Sequence, residues 1–382
     1  MIPLKAYFLF LFIFSGVFPA FSDDLKIPTT GQGYDFANNG KTHGPLLNEV
    51  FTAFRPQAGR LIKSEFCLQA AKQNYRYLDG LSRPGLKAEK FFEAGNLGIS
   101  ANDLRKTSAA IVQWLQEGET ELSKQFDFFQ IKGEDNMGNV QFTGYFTPLI
   151  DARKKADAKF RFPLFSQPRN LKGTVPSRAE IDHNGALSGK GLELAYTASL
   201  LDNYFLQVQG SGFLQFEDSA VRMVGFAGSN GMKYNSLGRL LVSKGAIPAE
   251  KISLRAIRSW FEKHPDDLVP MLNQNPSYVF FQWRSGKVTG AAGVPLVAEH
   301  SFAVDPRYIP LGACLLAQIP VLDREGNLIG HHWRIGFAHD IGGAIKGPGH
   351  LDLYHGLGRE AGDRAGDLHH YGRVWLLKAK SD

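Results

Sequence analysis

The sequence predicts a mainly β protein with some helices, built as a barrel or a sandwich rather than as a parallel α/β sheet. From Val140 onward the chain runs in short β-like stretches broken by Gly and Pro, without regular intervening helices. Helical signals cluster before that point, where apolar residues recur at helical spacing.

Leu61 to Leu78 carries Leu61, Ile62, Phe66, Leu68, Ala70 and Ala71, the pattern of an amphipathic helix. Ser100-Ala-Asn-Asp103 resembles a capping box with Asp in the place of Glu, opening a helix that carries Leu104, Ile111, Trp114 and Leu115. Strands are expected at Phe142–Pro148 and at Tyr204–Gln209. A helical interval follows at Pro248–His264, with Pro near its first turn and Trp260-Phe261 on its apolar side. Strands resume at Tyr278–Trp283 and continue to Arg373–Leu377. The charged stretch Asp151–Lys159 is a candidate domain junction, and no internal repeat or long low-complexity segment occurs.

The N-terminus reads as a secretory signal peptide over residues 1–22. Lys5 forms a basic start, Ala6 to Val17 an apolar run too short for a membrane span, and Ala20-Phe-Ser22 a cleavage-like position. No cysteine lies near that position, so the expected state is periplasmic, either soluble or held by an uncleaved signal anchor, and not lipid-anchored. Roughly 360 residues after cleavage point to two domains. The only cysteines, Cys67 and Cys314, are no disulfide framework; one long-range bridge and two buried thiols both fit. The formal charge of +6 is spread along the chain with no basic block, which argues against a nucleic-acid partner.

Three aspartates in small-residue-rich turns are the candidates for chemistry: Asp305, Asp340 and Asp352. Asp340 is followed by Gly342-Gly343, and glycine gives up more backbone entropy on folding than any other residue. Strand-and-turn segments accept that cost where backbone bends sharply or approaches something closely. Carboxylates at such bends either face a cleft or hold Asx-type turns. In Tyr204-Phe-Leu-Gln-Val-Gln-Gly-Ser211-Gly212, strand alternation would put Gln207 and Gln209 on one face, a polar row for sugar hydroxyls or simply an exposed sheet face. Gly144-Tyr145-Phe-Thr147-Pro148 reads either as an aromatic platform for a sugar ring or as a strand end. Seven histidines fall late in the chain, and a zinc site of His350, Asp352 and His355 is chemically reasonable, but the spacing matches no zinc motif.

Taken together these segments resemble the membrane-bound lytic murein transglycosylase A family, whose members carry a C-terminal three-aspartate domain. The resemblance rests on Gly144–Pro148, Tyr204–Gly212, Asn275–Phe281, Val304-Asp305 with Ile309–Gly312, His339–Gly347, Leu351–Gly358, Ala361–Gly366 and His370–Trp375. It implies a double-psi β-barrel domain from residues 23–150 and 287–382, with a second β-rich, substrate-binding domain inserted at 151–286 and a groove between them. It also implies cleavage of the β-1,4 bond between N-acetylmuramic acid and N-acetylglucosamine, forming 1,6-anhydromuramic acid ends without consuming water. The implied partners are peptidoglycan glycan strands, with the outer membrane or cell-wall machinery as further contacts of a monomer, and neither cofactor nor metal is called for.

Ordinary glycosidases use two carboxylates. A lytic transglycosylase lets the muramic acid's own C6 hydroxyl attack, so the nucleophile is held intramolecularly. One carboxyl then does both jobs, provided burial or a neighbouring carboxylate raises its pKa. By position in the family motif Asp352 is the acid/base, with Asp340 as a like-charge neighbour or a hydrogen-bond partner. Asp305 is structural, capping backbone N–H groups at its bend. Lys346, which eases charge on the sugar or faces solvent, joins Tyr145, Thr147, Gln207, Gln209 and Ser211 as saccharide candidates. A hydrolytic glycosidase on the same barrel, a metal-dependent peptidase using the late histidines, and a non-catalytic peptidoglycan-binding module are the rival functions.

Overall fold

The structure, a computed structural model, describes residues 51–53, 61, 63–81, 98–117, 121–133, 135–168, 175–342 and 345–380. The expected signal peptide at 1–22 lies outside them. The described elements run β1 (Phe51–Ala53), α1 (Glu65–Leu81), α2 (Ala101–Glu117), α3 (Leu122–Gln125), β2 (Phe126–Ile131), β3 (Val140–Thr147), β4 (Leu149–Arg153), β5 (Phe162–Phe165) and α4 (Arg178–Asp182). There follow β6 (Glu193–Thr197), α5 (Leu200–Gln209), β7 (Ser211–Gln215), β8 (Val221–Ser229), α6 (Leu237–Ser243), α7 (Leu254–Lys263), α8 (Leu268–Asn273) and β9 (Val279–Arg284). The chain closes with β10 (Ser301–Val304), β11 (Cys314–Leu322), β12 (Leu328–Ile341), β13 (His350–Leu357), α9 (Gly358–Asp367) and β14 (His369–Ala379).

These elements form two compact units. One holds the described residues up to Thr143, then Thr289–Tyr354 and Leu368 to the C-terminus; the other holds Gly144–Val288 and His355–Asp367. The junctions expected from sequence, after residues 150 and 286, thus differ by a few residues from where the chain changes unit. Residues 355–367, expected with the barrel, fall in the other unit. The reason is α9, whose Ala361 and Ala365 are buried in one apolar cluster with Leu237, Leu254 and Phe261.

In the first unit the strand order is β1-β2-β14-β11-β12-β10-β13-β3. Strand β14 also pairs with β3, which closes β14, β11, β12, β10, β13 and β3 into a ring of six strands. Closure removes the free edges that an open sheet leaves. Phe142, Phe302, Leu315, Leu351, Leu353 and Val374 are among the buried residues of this unit's main core. Helices α1 and α2 bury Ala70, Ala71, Ile111 and Trp114 in a second cluster with Phe337 and Trp375. The N-terminus of α2 is set by the expected capping box. Ser100 Oγ accepts from Asp103 N at 3.1 Å, and Asp103 Oδ2 accepts from Ser100 N at 3.0 Å. Cys67 and Cys314 are both buried free thiols in that second cluster, and burial pushes each up to about 12.

The second unit carries a six-stranded sheet in the order β5-β6-β4-β7-β8-β9, antiparallel except for the parallel pair β4–β7. One sequence expectation fails here. Tyr204–Gln209 is not a strand but the second half of α5. Ser199 caps that helix by accepting from Asp202 N at 3.1 Å, and Gly210 ends it at φ 72°. Leu201, Tyr204 and Phe205 repeat at helical spacing and are buried, a period that six residues read alone were too few to reveal. The predicted helical interval at Pro248–His264 is present but divided. Residues Ala249–Lys251 form a 3₁₀ turn, and α7 starts anew from its own cap, Ser253.

Candidate active site

The barrel register brings two of the three aspartates level. Strand β10 lies between β12, to which it runs parallel, and β13, to which it runs antiparallel. Ala303 pairs with Asp340 on one side and with Asp352 on the other. Residues paired across a ladder share a face, so both carboxyls leave the sheet on the same side, two strand spacings or roughly 10 Å apart at the backbone. A bulge makes this so. Phe302 pairs with Ala338 and the next residue, Ala303, skips His339 to reach Asp340. Without the extra residue, Asp340 would face the opposite way. His339, at the bulge, is fully buried, shares a 2.9 Å hydrogen bond through Nδ1 with Ser301 Oγ, and is pushed down by burial to about 3, so it is neutral.

Asp352 is itself only 3% exposed, between Leu351 and Leu353, which point into the barrel core. Burial pushes its carboxyl from 3.8 up to about 7; a hydrogen bond from Thr143 opposes the rise and the charge of Asp340 adds to it. Thr143 on β3 donates through Oγ1 to Asp352 Oδ1 at 2.8 Å, and the same hydroxyl lies 2.9 Å from His350 Nε2. His350 shares its face of β13 with Asp352, two residues on. Burial, with His369 beside it, pushes His350 down to about 4. His369, which pairs with Thr143 across β14, shares a 3.0 Å hydrogen bond through its own Nε2 with the side-chain amide of Gln141. The site is thus a carboxyl raised towards neutrality with a hydroxyl donor and neutral imidazoles nearby, a group able to give a proton and take one back near neutral pH.

The other aspartates are engaged with backbone. Asp340 Oδ1 accepts from Ala291 N and Ile341 N, each at 2.9 Å. Asp305, also 3% exposed, accepts from Arg307 N at 3.1 Å, from Gly347 N at 3.0 Å and from the Arg307 guanidinium. Burial alone would raise its carboxyl, but these donors outweigh it and hold Asp305 below the usual range. Lys346, beside Gly347 in that turn, is exposed.

The remaining saccharide candidates lie in the second unit. Tyr145 and Thr147 are buried on β3, following Gly144, where a Cβ would come within 2.6 Å of Ala365 Cα and 2.7 Å of the His355 ring. That contact explains glycine in the motif. The expected row of Gln207 and Gln209 does not exist, because on a helix residues two apart do not share a face. Gln207 is buried and its amide oxygen accepts from Arg178 Nη2. Gln209, at the helix end, and Ser211, which pairs with Gly225 on β8, are half-buried. Sequence reasoning missed Thr143, though it stands at the i and i+2 position to Tyr145 in a strand already assigned, and it weighed His350 only as a zinc ligand. Among the described residues no three His, Cys, Asp or Glu side chains are grouped to hold a metal ion, so the zinc alternative at His350, Asp352 and His355 has no geometry behind it.

The MltA specific insert domain matches residues 141–282, and the 3D domain matches residues 300–378. Membrane-bound lytic murein transglycosylase A of Escherichia coli is 45% identical over 303 residues, which is 75% of this chain and 82% of the relative. The protein of the same name from Vibrio cholerae is 42% identical over 272 residues, 69% of this chain and 73% of that one. A crystal structure of E. coli MltA with bound chitohexaose is similar with a TM-score of 0.72 at 37% identity, covering 90% of this chain and 98% of that one. With such identity over three-quarters of its length, the chain belongs to the membrane-bound lytic murein transglycosylase A family.

Proposed function

We propose that this lytic murein transglycosylase cleaves the β-1,4 bond between N-acetylmuramic acid and N-acetylglucosamine with Asp352 as its single acid/base, leaving 1,6-anhydromuramic acid ends. The observation that carries the reading is a carboxyl 3% exposed and raised to about 7, beside a second aspartate tied to backbone N–H groups. Raised towards neutrality, the same group donates to the glycosidic oxygen and then accepts from the C6 hydroxyl. A single working carboxyl suits a substrate that brings its own nucleophile, whereas hydrolysis needs a second to direct water or to form a covalent intermediate. The chitohexaose bound to E. coli MltA supports a glycan strand as the ligand here. Relatives named membrane-bound support a place in the cell envelope, and we assign the enzyme to the periplasmic side. Among the described residues no helix is long and apolar enough to cross a membrane.

Mass spectrometry of digested murein sacculi tests the reaction. Fragments ending in anhydromuramic acid are expected; reducing ends in their place would make the enzyme a hydrolase.

A further inference from the structure

The inference drawn here rests on Asp352 being the acid/base. Thr143 has one hydroxyl proton and two close partners, Asp352 Oδ1 at 2.8 Å and His350 Nε2 at 2.9 Å. With that proton given to Asp352, the second contact is a hydrogen bond only if His350 Nε2 carries a proton and donates it. At working pH His350 is neutral, pushed down to about 4, and holds a single ring proton. In that arrangement His350 is the Nε2–H tautomer. His350 Nε2–H, Thr143 Oγ1–H and Asp352 Oδ1 form one directed chain that ends on one oxygen of the acid.

We propose that Thr143 and His350 are positioning residues that keep Oδ1 an acceptor throughout the cycle, so that the working proton leaves from and returns to Oδ2 alone. In the first half of the reaction the Oδ2–H bond breaks, the proton joins the glycosidic oxygen, and the bond from that oxygen to C1 breaks. In the second half the C6 hydroxyl loses its proton to Oδ2 as its oxygen bonds to C1. Asp352 ends as it began, and no proton is exchanged with solvent. A chain of this kind acting as a proton wire to water would have no task in such a cycle. A chain that fixes which oxygen works has one, because misplaced donors cost rate steeply.

The groups that bear on Asp352 from neighbouring strands are Thr143 on β3 and Asp340 on β12; His350 lies on its own strand, with His369 on β14 beyond it. Removing the hydroxyl removes a donor to the ionised form, so the acid holds its proton to higher pH. The test is kcat and KM for anhydro-muropeptide release, across about pH 5 to 9, for the wild type and four variants. Thr143→Val is expected to lower kcat about 100-fold with KM little changed, and to move the alkaline limb of the rate profile up. Thr143→Ser, which keeps the hydroxyl, restores both. His350→Phe moves the limb the same way with a smaller loss, and it decides the matter if Thr143→Val fails to fold. Asp352→Asn separates the two readings. If it is inactive while Thr143→Val keeps the wild-type rate and profile, the acid assignment stands and the positioning proposal falls. A rate loss in Thr143→Val with an unmoved limb and no rescue by Ser also overturns it, as does a near-normal rate in Asp352→Asn.

Discussion

Each unit buries charged side chains, and the two do so in opposite ways. In the insert unit Arg178, 2% exposed, donates to Asn275 O, Ser277 O, Gln207 and Asp182, and its guanidinium lies 5.2 and 5.3 Å from the rings of Tyr204 and Tyr278. Four hydrogen bonds and two aromatic rings thus meet that cation. In the barrel unit Asp352 is equally buried, but among the described residues one hydroxyl is the only donor that lowers its pKa, and the acid is left near 7. Asp305, in the same barrel and with as little exposed surface although less deeply placed, resembles Arg178: side-chain and backbone donors surround it and its pKa falls. Burial by itself does not separate scaffold from chemistry. The number of partners given to the buried charge does, since a satisfied ion is held in one state and a poorly satisfied one exchanges its proton.

The comparison breaks first, and most widely, at Asp352. Asp352→Asn is expected to lower anhydro-product release by about 1,000-fold or more, the scale of a lost general acid; a near-normal rate would move the chemistry elsewhere, with Asp340 next in line. The insert unit gives the next largest effect. Arg178→Met leaves Asp182 and the Gln207 amide buried without their cation, and should cost about 3–5 kcal/mol in urea unfolding. The double variant Arg178→Met, Asp182→Leu should recover much of that loss, which would show the network to be scaffold.

The smallest effect sharpens the comparison through pH. A carboxyl raised from 3.8 to about 7 keeps its proton in the folded state over a window where the unfolded chain has lost it. Its contribution to stability is therefore full below about pH 4 and is lost as pH rises towards 7. Asn at this position does not titrate. Asp352→Asn is expected to be more stable than the wild type at pH 8, and the gap should close towards pH 4 in parallel denaturation series. A constant gap across that range would mean that the burial cost of the charge is not what separates the two units. A proposed catalytic acid that weakens its own fold fits the usual trade between stability and activity.

Local features of the chain were legible wherever neighbours in sequence decide them. The capping box at Ser100 and Asp103 and the strand through Phe142 and Thr147 depend on contacts a few residues apart. The helix at Tyr204–Gln209 was not legible, because its period shows only when the window reaches back to Ser199 and Leu201. Gln207 followed from that error: its partner, Arg178, lies 29 residues away. The site was half visible. Its motifs pointed to Asp352, while Thr143, 209 residues from it, appears only when β3 is laid beside β13.

The sequence by itself determined the family, the mainly β class, and the three aspartates with their glycine-rich turns, since residue identity and short spacings carry those. Only the tertiary structure decided which aspartate keeps a proton. That depends on a bulge at His339 that turns Asp340 to face the same side as Asp352, and on a ring of six strands that lays Asp352 beside the Thr143 hydroxyl. A pKa is set by the solvent and charges that folding removes or brings near, and no reading along the chain contains those distances.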